Sequence, residues 1–338
     1  GKSAEHMILL NFFKDNRVAG IGVLFILTIS IFLRPFIQGA DPGSASEIIP
    51  FTGMPFYQLI FGAIHTTPVL NRILTLIILT LISYVLIRIA VRYLLLEFRS
   101  LMPALFFILF SMVLPGTQQI SPTLLGSFFF LLCFAILFDV HDKAPDTYMV
   151  FTASVVLVIG SMFCLKLIWF LPLVWVSLFT LRAVTWRELF FPVLAYLLMA
   201  LFLITWYWGV KDNMSGLGTL LRDNLAFTGS FRTYHLSTYF YYGFFLFLIG
   251  LSSVFIANRF QTRKTMTQKI YQVLFFMFVT GLLFYLLIAR FDPAALVFLG
   301  MPVSYILSNY FHQKKNHWTH EAAMWVLLGL LLFVQLTV

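Results

Sequence analysis

Apolar positions in this chain come in long unbroken runs, and polar positions are confined to the gaps between them. The runs occupy 18–33, 71–96, 101–114, 122–140, 148–164, 167–181, 189–209, 238–257, 270–289, 294–310 and 322–338. A helix of about 20 residues crosses a hydrocarbon core of about 30 Å, so the pattern predicts about eleven spans. Several runs are short, and one pair of them can be read as re-entrant. None alternates apolar with polar residues as the strands of a membrane barrel do, and lipid gives backbone amides no partner outside the protein. The predicted fold is therefore all-α, a polytopic bundle of transmembrane helices. Residues 1–7 (GKSAEHM) read as an expression-tag remnant, 8–338 as a single transmembrane domain, and the first run as an uncleaved anchor.

Composition supports the class: 61% of the 338 residues are hydrophobic and 10% charged, where soluble domains carry roughly a quarter charged residues. The net charge of +9 is scattered at the ends of the runs. It is read as topology and headgroup contact, since no basic tract suited to nucleic acid occurs. If the spans alternate, Lys14, Arg17, the arginines of 88–99, Lys143, Arg182, Arg187, Arg259, Arg263, Lys264, Lys269, Lys314 and Lys315 share one side. Cations favour the cytoplasmic side, which predicts a cytoplasmic N-terminus in a bacterial inner membrane. The periplasmic side then receives the gaps 34–70, 116–121, 210–237 and 290–293 and the junction at Lys166. Cys133 and Cys164 sit inside apolar runs with neither metal spacing nor a disulfide framework, and read as packing residues.

Candidate chemistry concentrates in the two wide outer gaps, because long loops without repeats are more often functional than idle. In 34–70 the stretch GADPGSASE is turn-like, and Ser44 or Ser46 is placed to cap a helix near Glu47. MPFYQLIFGAI after it reads as a helix lying at the interface, anchored by Phe56, Tyr57 and Phe61. Glu47, beside lipid and partly desolvated, would have a raised pKa and suit a general base or a ligand for a divalent metal bridging phosphate oxygens; Asp41 is the second candidate. The competing reading makes both ordinary solvated loop acids. Isolated cations at the outer face, Arg34, Lys166, Arg232 and Arg290, suit a lipid phosphate, because a charge among apolar residues tends to acquire a partner. Against that, Lys166 can snorkel to the interface and Arg290 can contact Asp292. In 210–237, Asp212, Arg222, Asp223, Arg232, Tyr234 and His235 are candidates to line a groove, with His235 for proton transfer or phosphate contact or as a plain surface residue. His312, His317 and His320 are spaced irregularly for zinc and read as headgroup contacts. The chain carries no phosphate loop, nucleophile elbow, zinc-protease motif or dinucleotide fingerprint, which argues against a fused ATPase, hydrolase, protease or oxidoreductase domain.

The layout resembles the GT-C superfamily of polytopic glycosyltransferases. A first span ends in an acid-bearing outer loop, followed by PFYQLIFGAI and the span NRILTLIILTLISYVLIRIA. FSMVLPGTQQISPTLLGSFFFLLCFAILF has the family's span, short turn and Pro-led span; FTASVVLVIGSMFCLKLIWFLPLVWVSLF carries Lys166 between two short spans; ARFDPAALVFLGMP places Arg290 before a late span. The similarity covers roughly 18–210 by layout, and the adjacent acid pair common in the family does not occur here. The resemblance implies an integral membrane enzyme that takes a sugar from a polyprenyl-phosphate donor and passes it to a protein or glycan acceptor at the periplasmic face. Glu47 or Asp41 would activate the acceptor or hold a metal, while Lys166, Arg232, Arg290, Arg34 and His235 would contact the donor phosphate. Membrane lipids are the other expected partners. The alternatives are a non-catalytic scaffold or subunit of an envelope or secretion complex, or a transporter. A transporter should show repeated broken helices or mid-span charges, and neither is apparent.

Overall fold

The structure, a computed structural model, describes Thr28 and residues 54–61, 68–96, 100–114, 117–140, 147–182, 184–209, 211–225, 234–312 and 317–337. Among the described residues every regular element is helical. The α-helices are α1 (Pro55–Phe61), α2 (Pro68–Arg92), α3 (Met102–Ser111), α4 (Pro122–Asp139), α5 (Thr147–Ser161), α6 (Leu171–Leu181), α7 (Trp186–Gly209), α8 (Met214–Leu225), α9 (Leu236–Asn258), α10 (Thr265–Leu283), α11 (Leu296–Phe311) and α12 (His317–Thr337). A 3-10 helix, Leu165–Phe170, leads into α6, and a π turn, Phe284–Ile288, ends α10.

Among the described residues, seven segments are long and apolar enough to cross a bilayer: Leu70–Arg92, Pro122–Asp139, Trp186–Gly209, Leu236–Asn258, Thr265–Ile288, Pro293–Phe311 and Trp318–Thr337. The runs at 101–114, 148–164 and 167–181, expected to be full spans, instead form shorter apolar helices, Met102–Ser111, Tyr148–Ser161 and Leu165–Leu181. The run 18–33 lies outside the described residues, except for Thr28. Burial ranks the segments. The apolar window of Pro293–Phe311 is 94% buried and that of Trp186–Gly209 only 22%. So α11 is the axis, packed by α3, α4, α9 and α10, and α7 keeps an apolar outer face, with Leu197, Leu201 and Phe202 exposed as suits a lipid-facing helix.

Close packing at the axis depends on small residues. A Cβ at Gly300 of α11 would fall onto the Ser111 hydroxyl of α3, and one at Gly160 of α5 would come within 2.8 Å of the Phe129 Cβ on α4. Beneath one end of the axis, Phe130, Phe170, Phe284 and Phe298 form a ring cluster with centroid distances from 4.8 Å (Phe130 to Phe170) to 5.6 Å (Phe284 to Phe298). It joins α4, the 3-10 helix, the π turn and α11.

Side-chain bonds sort the helix termini into two ends. At one, Arg92 pairs with Asp139 at 3.0 Å, Lys269 Nζ donates to Leu181 O at 2.7 Å, and Arg263 donates to Asn309 Oδ1 at 2.8 Å. Arg182 pairs with Glu188 there, and Glu188 Oε2 accepts from Thr185 N–H at 3.0 Å at the start of α7. At the other end, Ile120 N–H donates to Asn71 Oδ1 at 2.7 Å, Gln335 donates to Val113 O at 2.9 Å, and Ser237 and Thr337 hydroxyls meet at 2.7 Å. Consecutive long helices therefore run between a cation-rich end and an opposite end. His312 and His320, expected to contact headgroups, are instead buried at the cation-rich end, His320 edge-on to Tyr310 at 4.6 Å.

Candidate functional site

The end opposite the cation-rich one holds Lys166, His235 and Arg290, the singled-out site residues that are described, around the turn after α10. The π turn closes with Ala289 N–H donating to Phe284 O at 2.9 Å, and Phe291 N–H reaches back to Tyr285 O at 3.1 Å. Between them Arg290 (φ 48°) and Phe291 (φ 67°) both take the left-handed conformation. Side chains with a Cβ disfavour this region, at a cost of about 1–3 kcal/mol per residue, and neighbours must hold it. Tyr234 donates its hydroxyl to Phe291 O, and Asp292 accepts from Ala294 N–H at 3.1 Å, capping the short turn that opens α11. π turns and strained backbone recur at functional sites, and here they adjoin a buried cation.

That cation is Lys166, 8% exposed, on the 3-10 helix between α5 and α6. It lies in the field of the Asp292 carboxylate. Asp292, two residues after Arg290, is the acid whose field reaches Lys166, and Lys166 is buried rather than extended to the surface. His235 is exposed and occupies the N-cap of α9, where its Nδ1 lies 3.0 Å from Ser237 Oγ. Glu47, Asp41, Arg34 and Arg232 lie outside the described residues.

The helix expected within the gap 34–70 forms as α1. Tyr57 donates to Ile120 O at 3.2 Å, and burial pushes its phenol pKa up, so it stays a neutral donor. Phe56 stacks edge-on to Phe163 at 6.1 Å and to Phe202 at 5.8 Å. An apolar groove of about 260 Å³ runs between α1 and α7, lined by Pro55, Phe56, Leu59, Ile60, Phe202 and Trp206. Phe56 thus links the groove to Phe163, three residues before Lys166. The gap 210–237, read as a loop, contains α8. Leu217, Leu220 and Asn224 are buried on one face of it, and Arg222 and Asp223 are exposed on the other. α8 lies against the 3-10 helix that carries Lys166.

No protein-family model, characterised protein or solved structure matches this chain.

Two features were missed in the sequence. Asp292 acts on Lys166 from far along the chain, where no local pattern relates them. Asn71 and Tyr57 between them satisfy both backbone groups of Ile120.

Proposed function

We propose that this protein transfers a sugar from a polyprenyl-phosphate donor to an acceptor at the end opposite the cations, and that the cation-rich end faces the cytoplasm of a bacterial inner membrane. The observation that carries the reading is the apolar groove between α1 and α7, linked through Phe56 and Phe163 to the buried Lys166 and the strained Arg290 turn. Hydrocarbon entering sideways from lipid would occupy the groove and bring its phosphate toward Lys166 and Arg290. A charge-assisted contact there stabilises the phosphate that leaves when the sugar C1–O bond breaks. The acceptor hydroxyl forms the new bond to C1, and its proton passes to Glu47 or Asp41. A divalent metal, if one takes part, would sit on those same acids.

Two observations favour the scaffold reading instead: Lys166 lies in the field of Asp292, and His235 caps α9, so two proposed phosphate contacts have structural roles. The test uses the full chain in lipid nanodiscs with a panel of polyprenyl-phosphate sugars, reading release of polyprenyl phosphate. Turnover is expected for wild type, with a loss of about 100-fold or more in Glu47→Gln or Asp41→Asn, in keeping with removal of a general base. Full activity in both substitutions would remove these acids from the mechanism. No turnover in wild type with any donor would leave the scaffold.

A further inference from the structure

The cation-rich end contains a second cleft, far from the proposed transfer site. It has a volume of about 290 Å³ and is lined by Arg259, Arg263, Lys264, Asn309, His312 and the turn after α2. No carboxylate lines it among the described residues. Of the acids described at this end, Asp139 and Glu188 are engaged with Arg92 and Arg182, and Glu321, near the start of α12, does not line the cleft. Three cations from the end of α9 and the start of α10 therefore share one concave wall. The neighbouring 97–99 (Glu97, Phe98, Arg99) lies outside the described residues and carries one charge of each sign.

The wall is built rather than merely basic. Arg263 donates to Asn309 Oδ1 at 2.8 Å and to Leu95 O at 3.5 Å, and its guanidinium lies over the Tyr271 ring at 5.0 Å. Tyr271 also donates to Leu95 O, at 3.0 Å. Gln268 ties down the turn that presents the cations, donating to Phe260 O at 3.0 Å and to Arg263 O at 2.9 Å. Arg259 stacks over Phe255 at 4.7 Å. A guanidinium offers five N–H donors, and Arg263 directs two of them to Leu95 O and Asn309 Oδ1. Fixed donors lose little rotamer freedom when a ligand arrives, and planar guanidinium groups match phosphate oxygens.

We infer that this cleft binds a phosphate-bearing anion. The phosphate belongs either to a lipid headgroup entering from the adjoining leaflet or to a free phosphate compound. The full chain is purified into nanodiscs of phosphatidylcholine with or without phosphatidylglycerol, retained lipid is counted by native mass spectrometry, and inorganic pyrophosphate is titrated calorimetrically. Wild type should retain phosphatidylglycerol or bind pyrophosphate, the first naming a lipid headgroup and the second a free phosphate. Arg259→Gln with Lys264→Gln should weaken that binding roughly 10- to 30-fold, as loss of two interfacial cations implies. Lys211→Gln, a cation at the opposite end, should not. Binding by wild type should also weaken as salt rises, a readout independent of whether the variants fold. No preference for either probe, salt-independent binding, or wild-type affinity in the double variant would overturn the inference.

Discussion

Lys166 is a charge that the bundle must compensate, and Asp292 is placed to do so. Desolvating an ammonium costs several kcal/mol, so removing only the acid leaves that cost standing, whereas removing both charges abolishes it. Asp292→Asn and Lys166→Met are each expected to destabilise by about 1–3 kcal/mol, less than a fully buried pair would lose because Asp292 is half-buried. The double substitution should recover most of the loss. The check is a double-mutant cycle by reversible unfolding in mixed micelles; additive losses would show that the two charges do not interact. The sequence marked Lys166 and Arg290 because isolated cations stand out in apolar runs. It could not supply the partner, since the pairing depends on how α5, α6 and α10 are arranged. His235, weighed for proton transfer or phosphate contact or as a plain surface residue, is exposed and caps α9, a role its position just before a long apolar run explains.

Among the elements, α3 departs furthest from the sequence reading. The run 101–114 is apolar throughout, and nothing in its periodicity separates a full span from a fragment. The helix has 10 residues, about 15 Å of rise, half of a hydrocarbon core. A helix that stops inside a bundle leaves carbonyls without partners, and in lipid these must be met by protein. They are met from three directions: Tyr241 donates to Leu109 O at 2.6 Å, Tyr242 to Phe110 O at 3.1 Å, and Gln118 to Met112 O at 3.1 Å, with Gln335 of α12 on Val113 O. These polar groups on α9 and α12 therefore serve as the cap of α3. Tyr241→Phe keeps the ring and strips the donor. It should cost about 1 kcal/mol, and Tyr241→Phe with Gln335→Leu about 2 kcal/mol, whereas Tyr84→Phe on the exposed face of α2 should stay within about 0.5 kcal/mol. Unfolding free energies in bicelles decide this; equal effects at all three positions would mean that the carbonyls of α3 are satisfied without the clamps.

At the scale of the whole molecule, two independent patterns give the same alternation. Cation positions along the sequence sort the gaps into two sets, and the hydrogen bonds that cross between helices sort the helix ends into the same two sets: Arg263 with Asn309 and Lys269 with Leu181 at one end, Asn71 with Ile120 and Ser237 with Thr337 at the other. All-helical architecture was legible because runs of this length admit no other backbone solution in lipid. The centrality of α11 was not, since a helix apolar all round reads the same whether it faces lipid or protein; only its neighbours and the Gly300 contact with Ser111 distinguish the two. The alternation makes a prediction that does not depend on any enzymatic activity. Gln261, in the turn after α9, and Lys211, beyond the end of α7, are both exposed and lie at opposite ends. In a background with Cys133 and Cys164 replaced by alanine, Lys211→Cys should react with a membrane-impermeant maleimide added to intact cells, and Gln261→Cys only after the membrane is opened. The cation bias sets that direction, because charged residues cross a membrane poorly and basic ones are retained on the cytoplasmic side. Reaction of both from outside would break the alternation and, with it, the separation of the groove and the basic cleft onto opposite faces; a clean reversal would keep the bundle and turn the proposed transfer site toward the cytoplasm.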